Sequence, residues 1–189
     1  MAASEPLTAA ARDARYGRVA SALHWLIGIA LLGQITFGFL LDEIAPRNTP
    51  PRAGVINLHK SFGITLAVLI ALRIGWRLTH RAPAPLAALP AWQQRASTLG
   101  HRALYACMVV MPLSGYTASN FSKYGVKFFG FALAPWGVDN PAIYKVFNLI
   151  HIGTAYVFTA LIVGHIAMAL KHAWIDRNGV MARVWPWAG

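Results

Sequence analysis

Charge is scarce in this 189-residue chain, and acidic charge is scarcest. Six Asp and Glu stand against seventeen Lys and Arg, and charged residues make up only 12%. Soluble domains carry about 25% charged residues, and a small domain has too much surface for so few charges to cover. An ordinary soluble globule is disfavoured. Disorder is excluded, because it needs low hydrophobicity and 57% of this chain is hydrophobic. Cysteine is nearly absent. A lone Cys107 rules out a disulfide within the chain and any cysteine-based zinc or iron–sulfur site; in its apolar surroundings it reads as a packing residue. A mean hydropathy of +0.47 indicates that the solvent of this chain is largely lipid.

Uncharged runs of membrane length are present. A helix crosses a bilayer with about 20 mostly apolar residues, and the sequence predicts four such spans, at about 19–41, 58–78, 103–121 and 146–170. In the second, Lys60, Arg73 and Arg77 sit towards the ends, where long cationic side chains reach the interface. None of the runs alternates with period two, as a barrel strand would. The connections hold Pro46, Pro50 and Pro51, then Pro83, Pro85 and Pro90, then Gly125, Gly130, Pro135, Gly137 and Pro141. Phe128, Phe129, Phe131 and Trp136 in the third connection suit a segment at the membrane interface, where aromatic rings are favoured. With no repeat and no linker, residues 1–189 read as one all-α membrane domain.

The formal net charge of +11 has two candidate sources: a nucleic-acid face or basic membrane loops. Position decides. Eleven basic residues flank one side of the spans: Arg12, Arg15 and Arg18, then Arg73, Arg77, Arg81, Arg95 and Arg102, then Lys171, Arg177 and Arg183. Six flank the other: Arg47, Arg52, Lys60, Lys123, Lys127 and Lys145. The positive-inside rule then places both termini in the cytoplasm, and no nucleic-acid partner is needed. Glu5 and Asp13 before a long apolar run do not read as a cleavable signal.

Seven histidines are the chemical clue: His24, His59, His80, His101, His151, His165 and His172. Ionisable groups inside spans are costly and mark pathways or cofactors. His80 lies in a basic loop and needs no such role. His151 and His165 are 14 residues apart, which at about 100° per residue returns them to the same helix face about 21 Å apart. His24 shares the cytoplasmic depth of His165, and His59 shares the outer depth of His151. Two cross-helix imidazole pairs at two levels are what two bis-histidine b-type haems require, a coordination suited to electron transfer. Gly28 and Gly63 follow ligands by four, and Gly153 and Gly164 lie nearby; they either leave room for a flat macrocycle or let helices approach. The competing readings of the histidines are isolated polar residues bonding across helices and a zinc site, which lacks carboxylate or thiolate partners here.

These residues carry a resemblance. Tyr16-Gly17 with Ala22-Leu23-His24-Trp25-Leu26, Leu58 to Ile64, Arg73 to Arg77, Gly100 to Tyr105, Pro112 to Tyr116 and His165 to Asp176, in this order, resemble the bacterial-type cytochrome b561 family from Arg15 to about Pro186. The resemblance implies a multi-pass protein of the bacterial inner membrane, a four-helix bundle binding two haem b. It implies His24 with His165 as axial iron ligands on the cytoplasmic side, and His59 with His151 on the periplasmic side. It further implies respiratory electron transport between a quinone pool, ubiquinone or another quinone, and a second partner. Some members resemble superoxide oxidases.

Within that frame His172 and His101 are the candidates for holding a quinone headgroup. Lys60, Lys123, Lys127 and Arg52, with Arg47 nearby, form an outer positive patch that would attract superoxide anion or meet lipid headgroups; Lys60 is also placed to pair with a haem propionate. No catalytic residue is singled out. Three functions compete: a superoxide:quinone oxidoreductase, an electron-relay subunit serving a separate periplasmic redox protein, and a non-redox membrane protein. Membrane lipid is a partner in all three, and a homodimer is left open.

Overall fold

The computed structural model describes residues 15–84 and 90–185; Glu5, Arg12, Asp13, Pro85 and Pro186 lie outside them. Four long helices carry the chain: α1 (Arg18–Phe39), α2 (Arg52–Thr79), α3 (Ala91–Asn120) and α4 (Pro141–Leu170). They begin where proline or glycine stops extended chain: Gly17, Pro51 and Pro90 precede the first three. At α4 the Asn140 side chain accepts the N–H groups of Ala142 and Ile143, with Pro141 as the first helical residue. Both devices satisfy or remove donors that a helix start leaves free. Arg18–Phe39, Arg52–Thr79 and Pro141–Ile175 are long and apolar enough to cross a membrane. The apolar run of α3 is interrupted by Ser114, Tyr116, Thr117, Ser119 and Asn120, which lowers its hydropathy below that of the other three.

The chain is mostly helical, with one departure from the all-α expectation. Val126–Phe128 (β1) and Phe131–Leu133 (β2) pair antiparallel. Phe129 and Gly130 both take positive φ between them, the two-residue turn whose twist suits a hairpin. The hairpin is pinned to α2. Buried Ser61 accepts the Phe129 N–H at 2.9 Å, and the Lys60 ammonium donates to the Gly125 carbonyl at 2.8 Å. Phe62 and Phe129 meet edge-on.

Helices α3 and α4 make the most extensive contact, followed by α1 with α2. The buried core is small: Ile27 and Leu31 from α1, Leu66 and Ile70 from α2, Cys107 and Met108 from α3, and Phe158 from α4. Much of the remaining apolar surface, such as Ile29, Leu72, Leu113 and Leu149, points outward. A water-soluble monomer rarely shows so much exposed apolar area. The described chain ends are stitched together. The Tyr16 N–H donates to the Arg183 carbonyl at 3.0 Å, the Arg15 guanidinium to Ala182, and the Trp25 indole to Val184.

Candidate functional site

Heptad spacing along α4 organises the site. His151, Phe158 and His165 are seven residues apart, and seven steps at about 100° return to within about 20° of one face. Phe158 is 1% exposed and lies at the centre of the apolar core. It separates two histidine clusters, one near the joined chain ends and one near the hairpin.

The hairpin-side cluster pairs His59 from α2 with His151 from α4. Their ring centres are 6.3 Å apart and nearly perpendicular. The His151 Nδ1–H donates to the Met111 carbonyl of α3 at 2.8 Å. That bond fixes the tautomer that leaves Nε2 with a free lone pair. Beside His59, the Gln34 amide of α1 donates to the His59 carbonyl at 2.8 Å and lies 3.2 Å from its Nδ1, while Phe37 meets the ring edge-on.

The tail-side cluster pairs His24 from α1 with His165 from α4, ring centres 6.1 Å apart. Arg73 of α2 donates to the Ala20 carbonyl at 3.1 Å and lies 3.4 Å from His24 Nδ1. His101 of α3 joins this cluster: its ring centre is 5.2 Å from that of His165, and its Nδ1–H donates to the Ser97 carbonyl one turn back.

Both pairs have the spacing for one metal atom bonded to both rings. Two metal–imidazole bonds of about 2 Å each, plus the step from nitrogen to ring centre, come to about 6 Å. The remaining positions of an iron held this way would belong to a planar macrocycle. Among the described residues no group of three or more His, Cys, Asp or Glu is placed to hold a metal, so a zinc site with three or four protein donors has no counterpart there.

The glycines singled out from sequence largely border open space, and the close protein approaches to the histidine rings fall at two others. A Cβ on Gly28, Gly153 or Gly164 would meet nothing within 4 Å, and one on Gly63 only the Gln34 amide. The close approaches are on neighbouring helices. A Cβ on Gly38 of α1 would lie 3.1 Å from the His59 ring, and one on Gly115 of α3 only 2.8 Å from the His151 ring. Sequence reasoning also passed over Gln34, whose one signal was a polar residue inside an apolar run, and read Arg73 only as a span-end cation.

The other candidates spread out. His172 is buried beyond the end of α4, where the chain makes a π-helical turn at Lys171–Ile175. Its Nδ1 is 3.0 Å from the Asp176 carboxylate and 2.8 Å from the Asn178 amide. The Lys171 ammonium donates to both Asp176 oxygens. Asp176 consequently ionises below the ordinary carboxylate range, chiefly through the Lys171 bond and secondarily through His172. A cavity of about 270 Å³ opens beside it, lined by His172, Ala173, Arg177, Gly179, Met181 and Ala182. His80 stacks on Trp76 and belongs to neither cluster.

Of the cationic candidates, Arg52 is bound to Asp42 at 2.6 Å and to the Leu41 and Ala45 carbonyls. Those contacts, with Arg47 nearby, hold the Asp42 carboxyl below its usual range. Lys60 is tied to Gly125, the Lys123 ammonium lies over the Tyr124 ring, and Lys127 is exposed on β1.

Paired imidazoles on facing membrane helices define the class of helical membrane cytochromes. Within that class the chain belongs to the prokaryotic cytochrome b561 family, whose model matches residues 15–187. It is 29% identical over 171 residues to cytochrome b561 homolog 2 of Escherichia coli (strain K12), covering 90% of each chain. It is 27% identical over 173 residues to cytochrome b561 homolog 1 of the same organism, covering 91% of this chain and 97% of that one. The family binds b-type haem, and this chain is a multi-pass membrane protein of that kind.

Proposed function

We propose that the protein is a four-span inner-membrane cytochrome with both termini cytoplasmic. In this reading it holds one haem b between His24 and His165 and a second between His59 and His151. The observation that carries the reading is the pair of facing imidazoles at two levels of one bundle, each 6.1–6.3 Å apart. A bound haem b supplies one-electron carriage at each level. The chain's own contribution is to aim the four rings, to hold the His151 tautomer through Met111, and to exclude water between the levels with Phe158 and its neighbours.

The fourth span is supported by the chain ends. Tyr16 and Arg183 share a hydrogen bond, so the described chain enters and leaves the bundle on one side, and that favours an even number of crossings. Three helices are apolar enough to cross; α3 supplies the fourth. Its Ser114, Ser119 and Asn120 side chains donate to carbonyls of their own helix, which meets the requirement that polar groups in lipid be satisfied internally.

The substrate reading is superoxide:quinone oxidoreduction. Two superoxide anions release two electrons and become two O₂; a quinone takes up two electrons and two cytoplasmic protons and becomes the quinol. Exposed Lys123 and Lys127 beside the hairpin favour anion arrival, although Arg52 is committed to Asp42. On the cytoplasmic side, buried His172 with Asp176 beside an open cavity favours a quinone headgroup there. His101, drawn against His165, is the weaker quinone candidate. The second reading, a relay subunit for a periplasmic redox protein, uses the same haems and needs no substrate site.

Haem content and quinone reduction measured on one purified preparation test this proposal. Two low-spin haem b per chain are expected, and none, or one, would contradict it. Stopped-flow mixing with superoxide then separates the readings. Fast haem reduction that slows several-fold when Lys123 and Lys127 are neutralised supports the enzyme. Haems that stay oxidised support the relay.

A further inference from the structure

Arg73 is a cation turned onto the ring of one of the paired histidines, and among the described residues it forms no ion pair. It lies in the last third of α2, half-buried. Its contacts are the Ala20 carbonyl at 3.1 Å and His24 Nδ1 at 3.4 Å. Among the described residues the ion pairs involve only Asp42 and Asp176, and neither meets Arg73. Arg73 sits towards the end of the span, where a long cationic side chain can reach the interface, yet its contacts turn the guanidinium inward to Ala20 and His24, and it does not lose its charge there. Its position therefore calls for a role that uses the charge.

The physics of that position is one-sided. Reduction adds an electron to an iron, and a fixed positive charge nearby stabilises the product of that step. When Nε2 of His24 binds iron its Nδ1 carries the proton and cannot accept from Arg73, so the influence of the guanidinium on that level is its charge alone. The hairpin-side pair carries the opposite influence, because His151 donates to the Met111 carbonyl, which strengthens ring donation and favours oxidised iron. The cation of that level, Lys60, is directed to the Gly125 carbonyl. Arg77, one turn beyond Arg73, is exposed.

Resting on the dihaem reading above, we infer that Arg73 is a positioning residue that raises the reduction potential of the haem between His24 and His165, and so biases electrons towards the side where the chain ends meet. Potentiometric titration of the purified haem-loaded protein, followed in the haem b absorption band, tests it. Two one-electron steps are expected, and His151→Ala assigns them by removing the hairpin-side haem. Arg73→Gln and Arg73→Met should each move the tail-side step to lower potential and leave the other step in place, while Arg73→Lys should hold it close to wild type. An unmoved tail-side step, or equal movement of both steps, would overturn the inference. Loss of the tail-side haem from both neutral variants would overturn it too, because Arg73 would then retain the haem rather than tune it. A wild-type chain that binds no haem would instead contradict the dihaem reading itself.

Discussion

Gly115 shows how narrow the tolerances are at the residue scale. The His151 ring lies so close to the α3 backbone that a Cβ on Gly115 would sit 2.8 Å from two ring atoms. No side chain fits there without moving the ring, and a moved ring loses its 2.8 Å bond to Met111. Gly115→Ala is therefore expected to lower hairpin-side haem content several-fold while leaving the tail-side haem in place. Haem per chain, read from the two reduction steps, checks this; full occupancy of both would mean the ring has room to spare. The histidines themselves were legible in the sequence, because an imidazole in an apolar span is conspicuous and α-helical periodicity gives its depth and face. Gly38, Gly115 and Gln34 were not legible. Their importance lies in closeness between helices, which depends on rotation and crossing angle rather than on any local pattern.

At the scale of elements, the long helices followed from uncharged runs bounded by Pro and Gly. Their ends did not: α2 and α3 begin well before the predicted spans, at Arg52 and Ala91, because helix geometry tolerates charge that the membrane interior does not. The hairpin escaped a reading tuned to membrane spans. Its strands are three residues each, and its anchor is Ser61, whose partner lies 68 residues away in sequence. The turn after α4 has its own electrostatics. Asp176 ionises below its ordinary value of 3.8, mainly through Lys171 and then His172. A carboxyl depressed in the folded state stabilises that state above its unfolded value and ceases to do so as pH falls through the lower folded one. Protection of the amides across residues 171–184, taken relative to the unstructured exchange rate at each pH, should thus be high at neutral pH and fall below about pH 4. Asp176→Asn should exchange fast at neutral pH and show no such acid step. An unchanged profile in that variant would show that backbone bonds alone hold the turn.

For the whole molecule, little is buried against protein and much is left apolar outside. The core amounts to seven side chains across four helices, with Phe158 at its centre. The remaining hydrophobic content faces outward, which explains how a chain that is 57% hydrophobic has so small an interior. Arg15, Tyr16 and Trp25 meet Ala182, Arg183 and Val184, and eleven of the seventeen basic residues flank the span ends that the sequence assigns to that side. Charge layout and backbone contact both support the proposed topology, in which the described chain leaves and returns to one face. In the proposed four-span topology the two histidine levels stand between two aqueous sides, the arrangement that electron transfer across a membrane needs.

The central claim is the pairing of the four histidines. Reduced-minus-oxidised spectra with haem quantification on four single variants test it most directly. His59→Ala and His151→Ala should each lose the same haem, and His24→Ala and His165→Ala should each lose the other, with the remaining haem keeping its spectrum and potential. Swapped pairings, or variants that all retain both haems, would contradict the account.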